Sequence, residues 1–83
     1  RTNIGQANFE IVQRCVDDIV TVSEEAIVSA MRTIWETMKI VIEPSAAVPY
    51  AAIMENKIDL REKRVGVILT GGNVDLDALP WDL

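Results

Sequence analysis

Apolar side chains fall into separate rhythms and runs along the 83 residues. The clearest set is Ala26, Ile27, Ala30, Met31, Ile34, Trp35 and Met38, which repeats at helical spacing. It forms one apolar stripe on a helix of about four turns, with Glu25, Arg32, Thr33 and Glu36 facing away. Its Met and Trp members are read as core packing rather than cofactor contacts. Ser23-Glu24-Glu25 predicts the start of this helix, through a capping hydroxyl and two carboxylates at the positive end of the dipole. Lys39 suits the opposite end. Earlier in the chain, residues 1–8 (RTNIGQAN) are polar, carry Gly5 and read as a loop. Phe9, Val12 and Val16 then share helical spacing, which predicts a short helix over Phe9–Cys15 capped by Asn8. Ile19-Val20-Thr21-Val22 is a run of strand formers between polar residues and predicts a short strand.

The second half has longer apolar runs. Ile40-Val41-Ile42 lacks polar alternation and is expected to be buried on both sides. Pro44 stops any helix there by restricting Glu43. A further helix is expected over Ser45–Glu55, with Pro49 in its first turn and Asn56 as its C-terminal cap. Val65-Gly66-Val67-Ile68-Leu69 predicts a buried strand that runs into Thr70-Gly71-Gly72-Asn73. Strand–helix–helix–strand order at these lengths argues for an α/β fold with parallel pairing.

Composition narrows the class. Hydrophobic residues make up 49% of the chain, a globular rather than disordered balance. The length suits one small unit, below the usual domain size of about 100–150 residues. Such a chain buries only roughly 60% of its unfolded surface. Cys15 has no intrachain partner and no His is present, so a Cys/His zinc site and a Ser–His–Asp triad are both excluded within the chain. Much apolar sequence, little length and no staple, with no Met at the start, point to a piece of something larger.

Charge limits the partners. Eight basic and thirteen acidic residues give a net charge of -5. Sequence-independent nucleic-acid binding needs clustered Lys and Arg, and no nucleic-acid polymer is expected as partner. In Lys57–Arg64, Asp59 and Glu62 interleave with Arg61, Lys63 and Arg64, the pattern of a solvated turn. The apolar run Ala46–Met54 is broken by Pro49 and is far shorter than the roughly 18 residues of a membrane span, so no membrane partner is expected. No signal-peptide pattern opens the chain, and a lone Cys is compatible with a reducing, cytoplasmic setting.

Two places carry more than packing. Thr70-Gly71-Gly72-Asn73 follows an expected strand, where ligands bind in open α/β sheets. Its glycines permit positive φ and close backbone approach. It matches neither a dinucleotide fingerprint nor a Walker loop. A plain turn is the alternative. Glu43 stands between Ile42 and Pro44, and a carboxylate is costly to bury unless paired. Structurally, it would accept from helix-start amides; functionally, it would be a site acid with a raised pKa.

Ile42-Glu43-Pro44-Ser45-Ala46-Ala47, with Ala51-Ala52 one turn on and Leu69-Thr70-Gly71-Gly72-Asn73-Val74-Asp75-Leu76 after the run, resembles the fold-type II pyridoxal-phosphate enzymes. It looks most like their group of serine racemases, serine/threonine dehydratases and threo-3-hydroxyaspartate ammonia-lyases. Asn3-Ile4-Gly5, Val16-Asp17-Asp18-Ile19, Val22-Ser23-Glu24-Glu25 and Trp35-Glu36-Thr37-Met38-Lys39 stand in the same order, so the likeness covers almost the whole chain. It implies that residues 1–83 form the C-terminal part of the large cofactor domain of a tryptophan synthase β-like enzyme, not a complete domain.

The resemblance also implies roles. Thr70 takes the position whose hydroxyl meets the pyridine nitrogen of pyridoxal 5'-phosphate, with Gly71 beside it and Glu43 next to the ring. A neutral hydroxyl does not favour a protonated pyridinium as an Asp would, which suits β-elimination. Lys39 and Asn73 match the residues that touch a nucleotide effector, ATP, in animal serine racemases. Ala46 and Ala47 depart from the family, which usually has Gly at one of these positions. Pro49-Tyr50 is atypical too, and Thr70 is more often Ser. No Lys here sits in the family's Schiff-base motif. That lysine, the phosphate cup and the carboxylates for Mg2+ or Ca2+ would belong to the remainder of the parent polypeptide, so this segment alone would not be the catalyst.

The function implied is elimination of water and then ammonia from a β-hydroxy amino acid such as serine, threonine or 3-hydroxyaspartate, giving a keto acid. An amino-acid racemase is the alternative within the family, and a homodimer is the family's common assembly. A small non-catalytic α/β interaction module is the reading from another class.

Overall fold

The structure, a computed structural model, describes residues 5–82. Residues 1–4 of the expected N-terminal loop, and with them Asn3-Ile4 of the family-like motif, lie outside the described residues. Three helices follow in order: α1 (Gln6–Cys15), α2 (Glu24–Met38) and α3 (Pro44–Met54), then one 3-10 turn at Pro80–Asp82.

The stripe on α2 is the organising element. Ser23 adopts extended backbone before the helix, and its hydroxyl accepts from the amide of Ala26 at 3.1 Å. Glu24 and Glu25 fill the first turn, as the dipole favours. Ala30, Met31 and Ile34 are buried, and Ala26, Ile27 and Trp35 pack at the edge of the core. Met38, the last member of the stripe, is exposed. Met31 is the one large side chain with no exposed surface among the described residues.

Opposite it lies α3, whose inner face is built from Ala46, Ala47, Ala51 and Ala52, all buried. Methyl-sized side chains let two helix backbones come close, so the longer Met31 and Ile34 fill the space between them. Both alanines that depart from the family pattern, Ala46 and Ala47, are therefore core residues here.

Pro44 does not merely stop what precedes it; it opens α3. Its absent amide hydrogen is one that a first turn would leave unpaired, and its fixed φ suits a helix start. Pro49 consequently falls inside the helix rather than in its first turn. The missing donor is the one that would have served the carbonyl of Ser45, and both residues face solvent, where water replaces the bond. At the other end, the amide of Asn56 donates to Ile53 and that of Lys57 to Ala52, both at 3.1 Å. With Asn56 at φ 55, this is a Schellman stop, and Asn56 ends the helix as expected.

Two other expectations are corrected. Helix α1 begins at Gln6, not Phe9, with Gly5 as its cap, so Asn8 lies inside the helix. None of its residues is buried, Phe9 keeps 45% of its surface, and no other helix packs on α1 among the described residues. Cys15, near its end, is exposed.

No strand forms among the described residues, so the α/β order is not seen in them. Ile19-Val20-Thr21-Val22, Ile40-Val41-Ile42 and Val65–Leu69 are all outside helices and make no ladder. Of the middle run only Ile42 is buried; Ile40 and Val41 are exposed. The run 65–69 is also largely exposed, with Ile68 at 78%. The apolar pattern reports a demand for burial, whereas a strand also needs a neighbour offering repeated backbone bonds. The first and last of these runs do come together beside α3. Val20, Val22, Val65 and Val67 line one cleft of about 280 Å³ with Ala52 and Ile53 of α3. The mixed-charge turn is solvated as expected, and Arg61 makes a two-pronged pair with Asp59 at 3.0 Å for each contact.

A polar clasp joins the ends of the helix pair. Glu55, just past α3, accepts from the Ser23 amide at 3.0 Å and from its hydroxyl at 2.9 Å. The backbone amide, then the hydroxyl, hold the Glu55 carboxyl below its ordinary value of 4.5. A lowered carboxyl contributes stability that is complete above its ordinary value and lost as pH falls through the folded one. Glu55→Gln is therefore expected to melt below wild type at about pH 6, with the gap closing below about pH 4.5. Thermal denaturation followed by circular dichroism across that range checks it, and a gap independent of pH would rule the clasp out as the cause.

Candidate functional site

Residues before α3 and residues after the run 65–69 meet at one junction. The amide of Glu43 donates to the carbonyl of Gly71 at 2.9 Å. Glu43 has extended backbone (φ -85, ψ 164) and its side chain makes no capping bond to the amides of α3. The helix-start reading of this carboxylate is thus not what the structure shows. Instead the carboxylate lies against Gly71, where a Cβ would collide with its Oε1. The next residue is as tightly placed: a Cβ on Gly72 would come within 2.6 Å of the Val41 carbonyl oxygen. None of the glycines described has positive φ. The Gly-Gly pair serves close approach of backbone and carboxylate, not an unusual dihedral.

Thr70 precedes this junction, is exposed, and its hydroxyl makes no hydrogen bond among the described residues. Gly71 and Glu43 are half-buried. On the strip leading into the junction, Ile42 is buried at 4% exposure, and its carbonyl accepts from the indole Nε1 of Trp35 at 2.8 Å. Beyond the glycines, Val74 packs on the helix core, and the carboxylate of Asp75 accepts from the amide of Asp77 at 2.9 Å. Leu69 on one side and Val74 on the other thereby tie the turn to the core.

Lys39 and Asn73 make no hydrogen bond to Glu43, Thr70 or Gly71 among the described residues. Lys39 closes α2 in the left-handed region (φ 59, ψ 35), its amide donating to Trp35 at 3.0 Å. Both residues are exposed, and no hydrogen bond joins them among the described residues. Of the five sequence-derived residues, the structure joins Glu43 to Gly71, with Thr70 next in the chain, and shows no bond from Lys39 or Asn73 to them among the described residues. The sequence reading missed Trp81, whose ring meets Trp35 edge-on with centroids 5.0 Å apart. An aromatic between Pro80 and Asp82 carries no periodic signal that would have paired it with α2.

Thr70, exposed, thus adjoins in sequence the glycine on which the Glu43 carboxylate lies. Residues 1–71 match the family model described as pyridoxal-phosphate dependent enzyme, and the chain belongs to that family. It is 53% identical over 74 residues to a beta-hydroxyaspartate dehydratase of Paracoccus denitrificans, covering 89% of this chain and 24% of that protein. It is 41% identical over 80 residues to a serine racemase of Dictyostelium discoideum, covering 94% of this chain and 25% of the relative. The solved structure of a pyridoxal 5'-phosphate-dependent aspartate racemase superposes with a TM-score of 0.83 at 38% identity, over 93% of this chain and 25% of that one. The chain thus spans about a quarter of the length of these relatives.

The two glycines make separable demands. Gly71→Ala displaces only the flexible end of Glu43, whereas Gly72→Ala pushes on the Val41 backbone. Gly72→Ala is expected to lower the melting temperature by more than Gly71→Ala, with a stability cost of roughly 1–3 kcal/mol typical of forced overpacking. Parallel thermal melts check this, and equal melting points would show that the Val41 approach yields freely.

Proposed function

We propose that this chain is the C-terminal segment of the large cofactor domain of a pyridoxal-phosphate dependent ammonia-lyase or dehydratase. Its substrate would be a β-hydroxy amino acid, from which water and then ammonia leave to give a keto acid. The observation that carries the reading is the junction itself: Glu43 and Gly71 are joined by backbone and in side-chain contact, next to Thr70. The 53% identity to a beta-hydroxyaspartate dehydratase supports the reaction class. The exposed apolar runs around Ile19, Val41 and Ile68 support a larger α/β domain, in which other strands and the catalytic lysine would come from the remainder of the polypeptide.

The residues fit the cofactor. Thr70 is exposed with no hydrogen bond on its hydroxyl among the described residues, and the Glu43 carboxylate makes no capping bond to the α3 amides. When bound, pyridoxal phosphate supplies an electron sink for the α-carbon of an amino acid. Thr70 would hold the pyridine nitrogen through its hydroxyl, a neutral partner that leaves this nitrogen less protonated than a carboxylate would. Glu43 would place its carboxylate beside the ring, turned away from the α3 amides that would otherwise occupy it.

Thr70→Ala in the full-length enzyme is expected to weaken cofactor binding by about threefold to tenfold, the size of one hydrogen bond, with Thr70→Ser near wild type. Cofactor absorbance after dialysis and turnover of 3-hydroxyaspartate measure this. A colourless 9.2 kDa protein that folds alone, or a Thr70→Ala variant of wild-type affinity, would defeat the reading.

An amino-acid racemase is the second reading, favoured by the match to the aspartate racemase structure. Chiral analysis of serine or aspartate incubated with the enzyme separates the two. A nucleotide effector at Lys39 and Asn73 completes the proposal. Lys39→Ala is expected to abolish any activation by ATP in a titration, and an undiminished response would remove Lys39 from that role.

A further inference from the structure

We propose that Trp35 is a positioning residue for the Glu43–Thr70 site, acting through a single peptide plane; the proposal rests on the reading of that site given above. The carbonyl of Ile42 and the amide of Glu43 belong to the same rigid peptide unit, with oxygen and hydrogen on opposite sides. The oxygen end accepts from Trp35 Nε1 at 2.8 Å. The amide end donates to the Gly71 carbonyl at 2.9 Å. The plane is therefore held at both ends, by α2 on one side and by the glycine turn on the other. Rotating it would break both bonds together. It would also free the Glu43 backbone from the glycine on which its carboxylate is packed.

The donor is itself held. Trp81 meets the Trp35 ring at an interplanar angle of 86°, the edge-to-face geometry that aromatic pairs favour. The Arg32 guanidinium lies 5.7 Å from the centre of the Trp81 ring, and Arg32 is in turn paired with Glu36 at 2.8 Å. The 3-10 turn at Pro80–Asp82 thereby braces an indole on α2, and that indole sets the direction of the peptide before α3. A part-buried indole N–H requires an acceptor, and here the acceptor is the carbonyl of the peptide that leads into Glu43.

The test uses the full-length holoenzyme. Trp35→Phe removes the donor and part of the ring; β-(3-benzothienyl)alanine incorporated at position 35 keeps the indole shape and removes only the donor. Both are expected to weaken pyridoxal phosphate binding by roughly threefold to tenfold and to shift the cofactor's visible absorption band. The melting temperature of the cofactor-free benzothienylalanine protein is expected to stay within a few degrees of wild type. Because the effect runs through Glu43, it should largely vanish when the same change is made in a Glu43→Gln background. Wild-type affinity and band position in the benzothienylalanine protein would overturn the proposal. So would an effect that adds in full to that of Glu43→Gln, or a lowered melting temperature with unchanged affinity. If Trp35→Phe fails to fold, the shape-preserving variant decides. Wild-type cofactor binding by Glu43→Gln and by Thr70→Ala would instead bring down the site reading itself.

Discussion

One hydrogen bond, from the amide of Glu43 to the carbonyl of Gly71 at 2.9 Å, joins two parts of the chain 28 positions apart (71 minus 43). Everything that makes the junction chemically interesting follows from it. It places a carboxylate against a residue with no side chain, one position after Thr70. It also obliges Gly72 to lie on the Val41 carbonyl, so the approach tolerates glycine and little else. The bond is short-ranged and individually modest, on the order of 1 kcal/mol net. Its importance is geometric, because no other backbone bond links these two stretches among the described residues.

The helix pair below is what makes such a bond dependable. Met31 and Ile34 of α2 press into the alanine face of α3, and the Ser23–Glu55 clasp closes the far end of the pair. The strip from Ile40 to Glu43 is then simply the connection between two packed helices, with Ile42 tucked into their core. A short connection between fixed helix ends has few conformations to lose. Leu69 and Val74 pin the glycine turn to that core from either side. The division of labour is plain: apolar packing sets position, while a handful of polar bonds set direction.

Much of this is legible in the amino-acid sequence. The α2 stripe, its Ser23 cap and the Asn56 stop each depend on local periodicity or backbone preference, and local rules need no distant partner. Glu43 and the Thr70-Gly71 turn stand out from their own sequence neighbourhoods, and the motif resemblance supplies the roles that spacing alone would not have joined. What failed did so for a consistent reason. The runs at 19–22, 40–42 and 65–69 have the composition of strands, but a strand is a relation between chains, and no run finds a bonding neighbour among the described residues. Pro49 was misplaced because its tolerance depends on solvent reaching Ser45, a property of the folded surface. The Trp35–Trp81 contact and the Ser23–Glu55 clasp join residues 46 and 32 positions apart, beyond the reach of any local pattern.

The position of Cys15 has a practical side. It is the chain's single cysteine, it is exposed, and it sits at the end of a helix that rests on no other helix here. Trp35 and Trp81 meet edge to face and form one intrinsic fluorophore pair. A thiol-reactive dye on Cys15 would thus give this segment a donor and an acceptor at known residues, separated by the stretch leading from α1 into α2. Energy transfer between them would read out the placement of α1 as further chain or substrate is added, making the least anchored helix of the segment its most convenient gauge.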